Sequence, residues 1–233
     1  MEKVLVAETA HLKNTGLCEE GYWSDPMPLL RFLTTPGCTR FMNRDRAEKD
    51  QACRQVIPFF VVKLYDGILI TKRSSTQGDE RLRGKMSLII GGHVNAEDSA
   101  TGEYCHGLDV LNAIITGAQR ELIEELDIQT PSSNPRCEAC FAGVVNEDET
   151  EAGRTHIGLP ILLDLCPGTK VRPAANDFEE FEFVSHLRLV GGTEDRALTS
   201  QLETWSSLIA LNLPSVMSAG DRVEKQPILS FLI

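Results

Sequence analysis

Residues 108–126 carry the pattern that most narrows what this chain can become. Apolar side chains at Leu111, Ile115, Ala118, Leu122 and Leu126 recur every three or four positions, the period of a helix with one buried face. At about 100° per residue they fill an arc of roughly 80°, and Glu121, Glu124 and Glu125 fall on an adjacent arc of about 100°. The spacing predicts an amphipathic helix whose three carboxylates project together beside its buried face. Upstream, Met86-Ser87-Leu88-Ile89-Ile90 runs into Gly91-Gly92 and reads as a strand ending in a glycine loop.

The neighbouring segments supply more strands. Val56–Leu64 and Ile68–Thr71 flank Asp66-Gly67, turn chemistry between two β-rich runs, which predicts a hairpin. Strands are also expected at ACFAGVVNE, THIGLPILLDL and EEFEFVSHL, with a second helix over Thr193–Leu211 that buries Leu198, Leu202, Trp205 and Leu208 or Ile209. Mixed strands flanked by two long helices predict an α/β/α sandwich. Residues 1–54 look different. Val4–Val6 suggests a short strand and Pro26–Leu33 a short helix or turn, while Arg40–Arg54 is densely charged and has no legible order. We read residues 1–54 as an elaboration packed on a main domain of residues 55–233. The apolar end ILSFLI is expected to form an edge strand or a homodimer contact.

Composition sets limits on partners. With 23 Lys and Arg against 34 Asp and Glu, net charge −11, the average field repels nucleic acid polymers and anionic membranes. The longest apolar runs, around Val56–Leu64 and Ile228–Ile233, fall far short of the roughly 20 residues that cross a bilayer. The opening MEKVLVAETAHLK has too short an apolar stretch for a secretory signal, and seven scattered cysteines read as reduced thiols. A cytoplasmic location is the default expectation.

The segment Arg120-Glu121-Leu122-Ile123-Glu124-Glu125-Leu126-Asp127-Ile128, preceded by Gly91-Gly92, resembles the Nudix box. That pattern is a glycine, five residues, a glutamate, seven residues, then Arg-Glu, an aliphatic residue, any residue, Glu-Glu, any residue, glycine and an aliphatic residue. Two departures stand out. Asp127 occupies the glycine position. Counting from Gly91 places the first glutamate at Glu97, with 22 residues between it and Arg120, whereas counting back from the helix places it at Asn112. The acid that orders the loop is therefore open, and the excess is read as an insertion containing Asp98–His106. Glu-rich helix faces are usually solvated surface; the strand and the glycines weigh against that reading here. QVIPFFVV, ERLRGKMSLIIGGHVN and THIGLPI further resemble a branch of the family known as predicted phosphoesterases.

The resemblance implies a Nudix-like α/β/α sandwich with a mixed sheet, and a pyrophosphohydrolase or phosphoesterase dependent on Mg2+ or Mn2+. Its substrate would be a small nucleotide or other diphosphate, typically a nucleoside diphosphate linked to another moiety. By the same resemblance Glu124 and Glu125 would be metal ligands, Glu121 a ligand or the base that activates water, and Gly91 a backbone-carbonyl ligand. Arg120 would pair with a carboxylate of the box. A further acid would come from among Glu147, Asp148, Glu149, Glu151, Glu179 and Glu180. The residue types suit the chemistry, because hard cations take carboxylate oxygens and can neutralise an anionic diphosphate as water attacks.

Weaker signals surround the box. Lys72, Arg73, Arg81, Arg83 and Lys85 could meet substrate phosphates or remain a solvated loop. His93 could act as a hydrogen-bonding or acid–base group, or simply pack in its loop. Cys137-Glu138-Ala139-Cys140 lacks the second pair that a zinc site needs. Two other functions stay open: a Nudix-like nucleotide-binding module without catalysis, and a prenyl diphosphate isomerase, for which Cys105 is a poor candidate nucleophile.

Overall fold

The long strand β4 (Cys53–Leu64) is nearly all buried, as its run of β-branched and aromatic residues requires. Before it come β1 (Lys3–Glu8), α1 (Thr9–Asn14), β2 (Gly21–Trp23), α2 (Met27–Thr34), β3 (Thr39–Asn43) and α3 (Arg44–Ala47). After it come β5 (Gly67–Arg73), β6 (Met86–Ser87), β7 (Ile90–Gly91), short 3-10 turns at Ala96–Asp98 and Gly102–Tyr104, and α4 (Leu108–Glu125). The chain continues through β8 (Leu126–Gln129), β9 (Glu138–Phe141), β10 (Val144–Asn146), α5 (Glu151–Thr155), β11 (His156–Leu165), β12 (Lys170–Pro173) and β13 (Phe178–Ser185). The described residues close with α6 (His186–Val190), α7 (Thr204–Leu211), α8 (Leu213–Met217) and α9 (Ala219–Arg222). This computed structural model describes residues 2–17, 19–73, 84–131, 137–174, 178–190, 198 and 200–222.

By its contacts the chain divides into two compact units. The first comprises Met1–Phe59, Gly91–Glu121 and Gly143–Pro160. Within it β1 pairs antiparallel with β3, from Lys3↔Asn43 to Ala7↔Thr39, and with the start of β4 at Val6↔Gln55. Strand β10 pairs with β11 at Val145↔Gly158 and with β2 at Val144↔Trp23. Val4, Val6, Met42, Ala47 and Cys53 form one buried cluster. The charged stretch Arg40–Arg54, without legible order in the sequence, holds β3, α3 and the first residues of β4. Asn43 starts α3 by accepting a hydrogen bond from the Arg46 amide at 3.2 Å.

The second unit comprises Phe60–Ile90, Leu122–Ala142 and Ile161–Ile233. Here β5 pairs with β13, from Ser185↔Gly67 to Phe178↔Arg73, and with the end of β4 at Lys63↔Ile68. The expected hairpin is present, but its turn is Tyr65-Asp66, with Tyr65 at φ 56°, and Gly67 already belongs to β5. A Cβ on Gly67 would lie 3.1 Å from Phe183 Cβ, which explains a glycine in the strand. Strand β9 pairs with β11, and β8 with β12.

Several expected elements are divided or shifted. MSLII is not one strand: the Ser87 hydroxyl accepts from the Ile89 amide at 3.1 Å and turns the chain between β6 and β7. ACFAGVVNE splits into β9 and β10 at Gly143, where a Cβ would come 2.2 Å from the Trp23 carbonyl oxygen. Of the helix expected over Thr193–Leu211, residues 193–197 and 199 lie outside the described residues, Leu198 is helical, and Thr204–Leu211 form α7. Leu202 bridges Met86, and the Glu203 side chain caps the Trp205 and Ser206 amides. Trp205 is half-buried, while Ile209 is fully buried. Helix α4 sits where its period placed it, yet its inner face is Val110, Ala113, Ile114, Gly117, Ala118 and Leu122; Leu111 and Ile115 are only half-buried. Cys137 Sγ lies 3.2 Å from Cys166 Sγ, and burial pushes the Cys137 thiol pKa up. The ILSFLI end lies outside the described residues. Among the described residues no helix is long and apolar enough to cross a membrane.

Candidate active site

The two loop glycines have different jobs. A Cβ on Gly91 would fall 2.5 Å from the Pro58 carbonyl oxygen and 2.6 Å from Phe59 Cα, so Gly91 lets β7 lie directly on the backbone of β4. A Cβ on Gly92 would fall 2.5 Å from Cδ of Glu121 and 2.6 Å from its Oε2. It is Gly92, therefore, that makes room for the first carboxylate of the box.

The loop then closes on α4. Asn95 and Asp98 form a capping box around the first 3-10 turn, with the Asn95 amide donating to Asp98 Oδ2 at 2.7 Å. Gly117 brings the helix in close, since a Cβ there would lie 2.8 Å from Asp98 Oδ2 and 3.3 Å from Val94 Cα. Arg120 ties these parts together. Its Nε donates to Asp98 Oδ1 at 3.0 Å and its Nη2 to Asp98 Oδ2 at 3.1 Å, a two-pronged grip. Nη2 also reaches the His93 carbonyl at 2.9 Å, and Nη1 donates to Glu121 Oε1 at 2.7 Å. The Asp98 hydrogen bond is the main reason the Arg120 guanidinium holds its proton even more firmly than an ordinary arginine.

Asp98 thus takes the loop-ordering place that spacing left open between Glu97 and Asn112. It is buried, whereas Glu97 and Asn112 are exposed. Its sequence signal is the Asn95-x-x-Asp98 cap. Asp127, in the glycine position of the pattern, lies in the extended strand β8 and is not among the residues with positive φ, so no glycine is required there.

Glu121 and Glu125 are half-buried and Glu124 is exposed. On one continuous helix they follow at i, i+3 and i+4, which aligns them along adjoining turns. An all-carboxylate donor set of this kind suits a hard divalent cation, and the glycine opposite Glu121 is a cradle that any side chain would fill. The residues present therefore fit the metal that the box implies.

Other expected site residues are placed elsewhere. Arg81 and Arg83 lie outside the described residues. Lys72 is held by Glu180 at 3.0 Å and Glu179 at 4.0 Å. Glu147 accepts from the Glu149 and Thr150 amides at 2.8 and 2.9 Å and shapes the start of α5, and Asp148 pairs with Arg54. The His93 ring is turned towards Glu48 and His156, two residues that the sequence did not single out.

No protein-family model matches the chain. It is 30% identical in sequence to the crystal structure of Tm1382, a candidate Nudix hydrolase, which superposes with a TM-score of 0.68 over 91% of this chain and 98% of that one. The chain belongs to the Nudix superfamily. Protein YmaB of Bacillus subtilis (strain 168) is 29% identical over 210 residues, 89% of this chain and 95% of that protein. A bifunctional NMN adenylyltransferase/ADP ribose pyrophosphatase from Francisella tularensis is more distant, 19% identical with a TM-score of 0.45 over 70% of this chain and 41% of that one. The mixed sheet and its helices are thus a Nudix-like α/β fold, and the Arg120–Asp98 clasp lies inside the Nudix box of this chain.

Proposed function

We propose that the protein is a Mg2+- or Mn2+-dependent Nudix hydrolase that cleaves a phosphoanhydride bond, with a nucleoside diphosphate linked to another moiety as the substrate class. The observation that carries this reading is the pairing of Gly92 with Glu121 beneath an arginine clasp. Glu121, Glu124 and Glu125 would hold the cation, together with the main chain at Gly91. A bound divalent cation supplies charge neutralisation at the phosphate oxygens and a water of lowered pKa. Arg120 engages Glu121 Oε1, and the whole carboxyl group lies against the Gly92 side of the loop. Glu121 is then positioned either to share the cation or to accept the proton of the attacking water. Arg81 and Arg83 would meet the outer phosphates.

The test is hydrolysis, with Mg2+ or Mn2+, over nucleotide sugars, dinucleoside polyphosphates, nucleoside triphosphates, NADH, coenzyme A and ADP-ribose. Turnover of at least one class is expected, with Glu124→Gln and Glu125→Gln each lowering kcat by about 100-fold or more at an unchanged melting temperature. Equal turnover in both variants would remove the assigned mechanism. Nucleotide binding by calorimetry without turnover of any compound would make the chain a binding module.

A further inference from the structure

We propose that Glu48, His93 and His156 form a second cation site, one that takes a transition metal of the zinc class. The three residues lie far apart in sequence, at the end of α3, directly after the glycine loop, and at the start of β11. Their ligand atoms nevertheless lie within 4.8 Å of one another. His93 Nε2 is 3.9 Å and His156 Nε2 4.0 Å from the same oxygen, Glu48 Oε1. These separations exceed a hydrogen bond. Ligand atoms on a tetrahedral zinc, with bonds of about 2.1 Å, stand about 3.4 Å apart, so each histidine must approach Glu48 by about half an ångström, and the two imidazole nitrogens must close by at most about 1.4 Å.

The surroundings orient the ligands. His156 Nδ1 is 2.7 Å from the Ala152 carbonyl oxygen. A carbonyl can only accept, so Nδ1 carries the hydrogen, and in the neutral ring Nε2 turns a lone pair towards Glu48. This is the arrangement by which a backbone carbonyl fixes the tautomer of a metal-binding imidazole. A lone pair facing a carboxylate is repulsive, and a cation between them turns that repulsion into two bonds. The main chain at both histidines is anchored as well: Arg54 Nη1 donates to the His156 carbonyl at 3.3 Å, and Arg120 Nη2 to that of His93 at 2.9 Å. The two rings meet edge to face at 5.6 Å. Arg44 Nε, 3.8 Å from Glu48 Oε1, competes for that oxygen, while Arg44 Nη1 is held by Glu2 at 3.0 Å.

Ligand softness separates this site from the box. Two imidazoles and one carboxylate suit zinc and its transition-metal neighbours, whereas an all-oxygen set suits Mg2+ and Mn2+. Side-chain exposures of 26%, 15% and 10% for Glu48, His93 and His156 put the cluster beneath the surface, and three protein ligands plus one water would complete a four-coordinate site. A metal here would cross-link the N-terminal elaboration to the loop that carries Gly92, giving residues 1–54 a direct hold on the geometry around Glu121.

The test uses the full chain, stripped with a chelator and titrated with Zn2+ by calorimetry and with Co2+ by visible absorption. One ion per chain is expected at this site, with the intense visible bands of tetrahedral Co2+ and no thiolate charge transfer. Glu48→Gln and His156→Ala should each weaken Zn2+ binding by about 100-fold or more, since loss of a mere orienting partner already costs 10- to 100-fold. Glu124→Gln, Glu125→Gln and Cys137→Ser should keep it, which separates this site from the box and from the Cys137–Cys166 thiols. X-ray absorption on the unaltered Zn2+-loaded chain should show imidazole scattering, a readout that needs no substitution. Absence of Zn2+ binding, unchanged affinity in both Glu48→Gln and His156→Ala, or a sulfur or all-oxygen shell would overturn the proposal.

Discussion

The two adjacent glycines of the loop offer the sharpest contrast in consequences, because the atoms that an added methyl would strike differ in kind. At Gly92 the methyl meets the end of the Glu121 side chain, 2.5 Å from Cδ. A flexible carboxylate can swing away, so Gly92→Ala should fold with a melting temperature close to the parent's. The displaced carboxylate would no longer hold its place against Arg120, and kcat in the metal-dependent assay should fall by about 100-fold, the scale of an ångström of misplacement. At Gly91 the methyl meets backbone, 2.5 Å from the Pro58 oxygen and 2.6 Å from Phe59 Cα. Backbone in a buried strand cannot yield so easily, and Gly91→Ala should destabilise by about 1 to 3 kcal/mol or more, the range for overpacking. Urea unfolding of the two variants checks the pair. Equal stability losses would show that the loop moves as one piece and that the two contacts are not separable.

Helices and strands were legible where the signal was local. The period in α4 and the β-rich runs of β4 and β5 survive in the structure because burial along one face or both is written into consecutive residues. The inner face of α4 is rotated from its apolar positions for a specific reason. Gly117 has no side chain, so the loop at Val94 and Asp98 comes in close on that side of the helix, while Leu111 and Ile115 stay half-buried. Strands β2, β8 and β12 are only three or four residues long and mostly half-exposed or exposed, so no alternation announces them. Of the site, the Arg120-to-Glu125 string was readable because it occupies one helix. Asp98 was missed because its role depends on a loop folding back, and Glu48 and His156 because only tertiary structure brings them to His93. At α7 the starting cap makes its own prediction. Burial is the largest influence on the Glu203 carboxyl and raises its pKa above the ordinary 4.5, against the hydrogen bonds from Ser206 and Trp205 that lower it. The folded state therefore binds the Glu203 proton more tightly than the unfolded state. Its contribution to stability is fully present below the ordinary value and is lost as pH rises through the raised one. Melting temperatures measured from acid to neutral pH should show this loss in the parent, and Glu203→Gln, which cannot ionise, should lack it. Parallel profiles would mean that the cap hydrogen bonds compensate the burial.

On the scale of the whole molecule, stability depends on groups that join segments remote in sequence, and Arg54 is the clearest. Its side chain is 2% exposed. Nη1 donates to Asn146 Oδ1, to the Gly153 carbonyl at 2.8 Å and to the His156 carbonyl at 3.3 Å, while Nη2 pairs with Asp148. One guanidinium thus links the start of β4 to β10, α5 and β11, all within the first unit. The partners are unequal. Asp148 is 35% exposed and can be rehydrated if the arginine is lost, whereas the Asn146 oxygen belongs to a fully buried side chain. Removing one member of such a network takes a donor away from buried acceptors, although the Gly153 carbonyl keeps the His156 amide, at a cost of about 1 to 3 kcal/mol for each bond that water cannot replace. Arg54→Met should therefore lower unfolding free energy by about 3 kcal/mol, or the melting temperature by about 6 to 12 °C for a chain of this length. Asp148→Asn, which keeps an acceptor and removes only a partly exposed charge, should cost under about 1 kcal/mol. Measured side by side, the two losses apportion the effect. If Asp148→Asn cost as much as Arg54→Met, the ion pair rather than the buried carbonyls would be the dominant tie. Because Arg54 also fixes the His156 main chain, Arg54→Met carries a second expectation: the Zn2+ affinity assigned to Glu48, His93 and His156 should fall by about 10-fold or more, as it does when an orienting partner is lost.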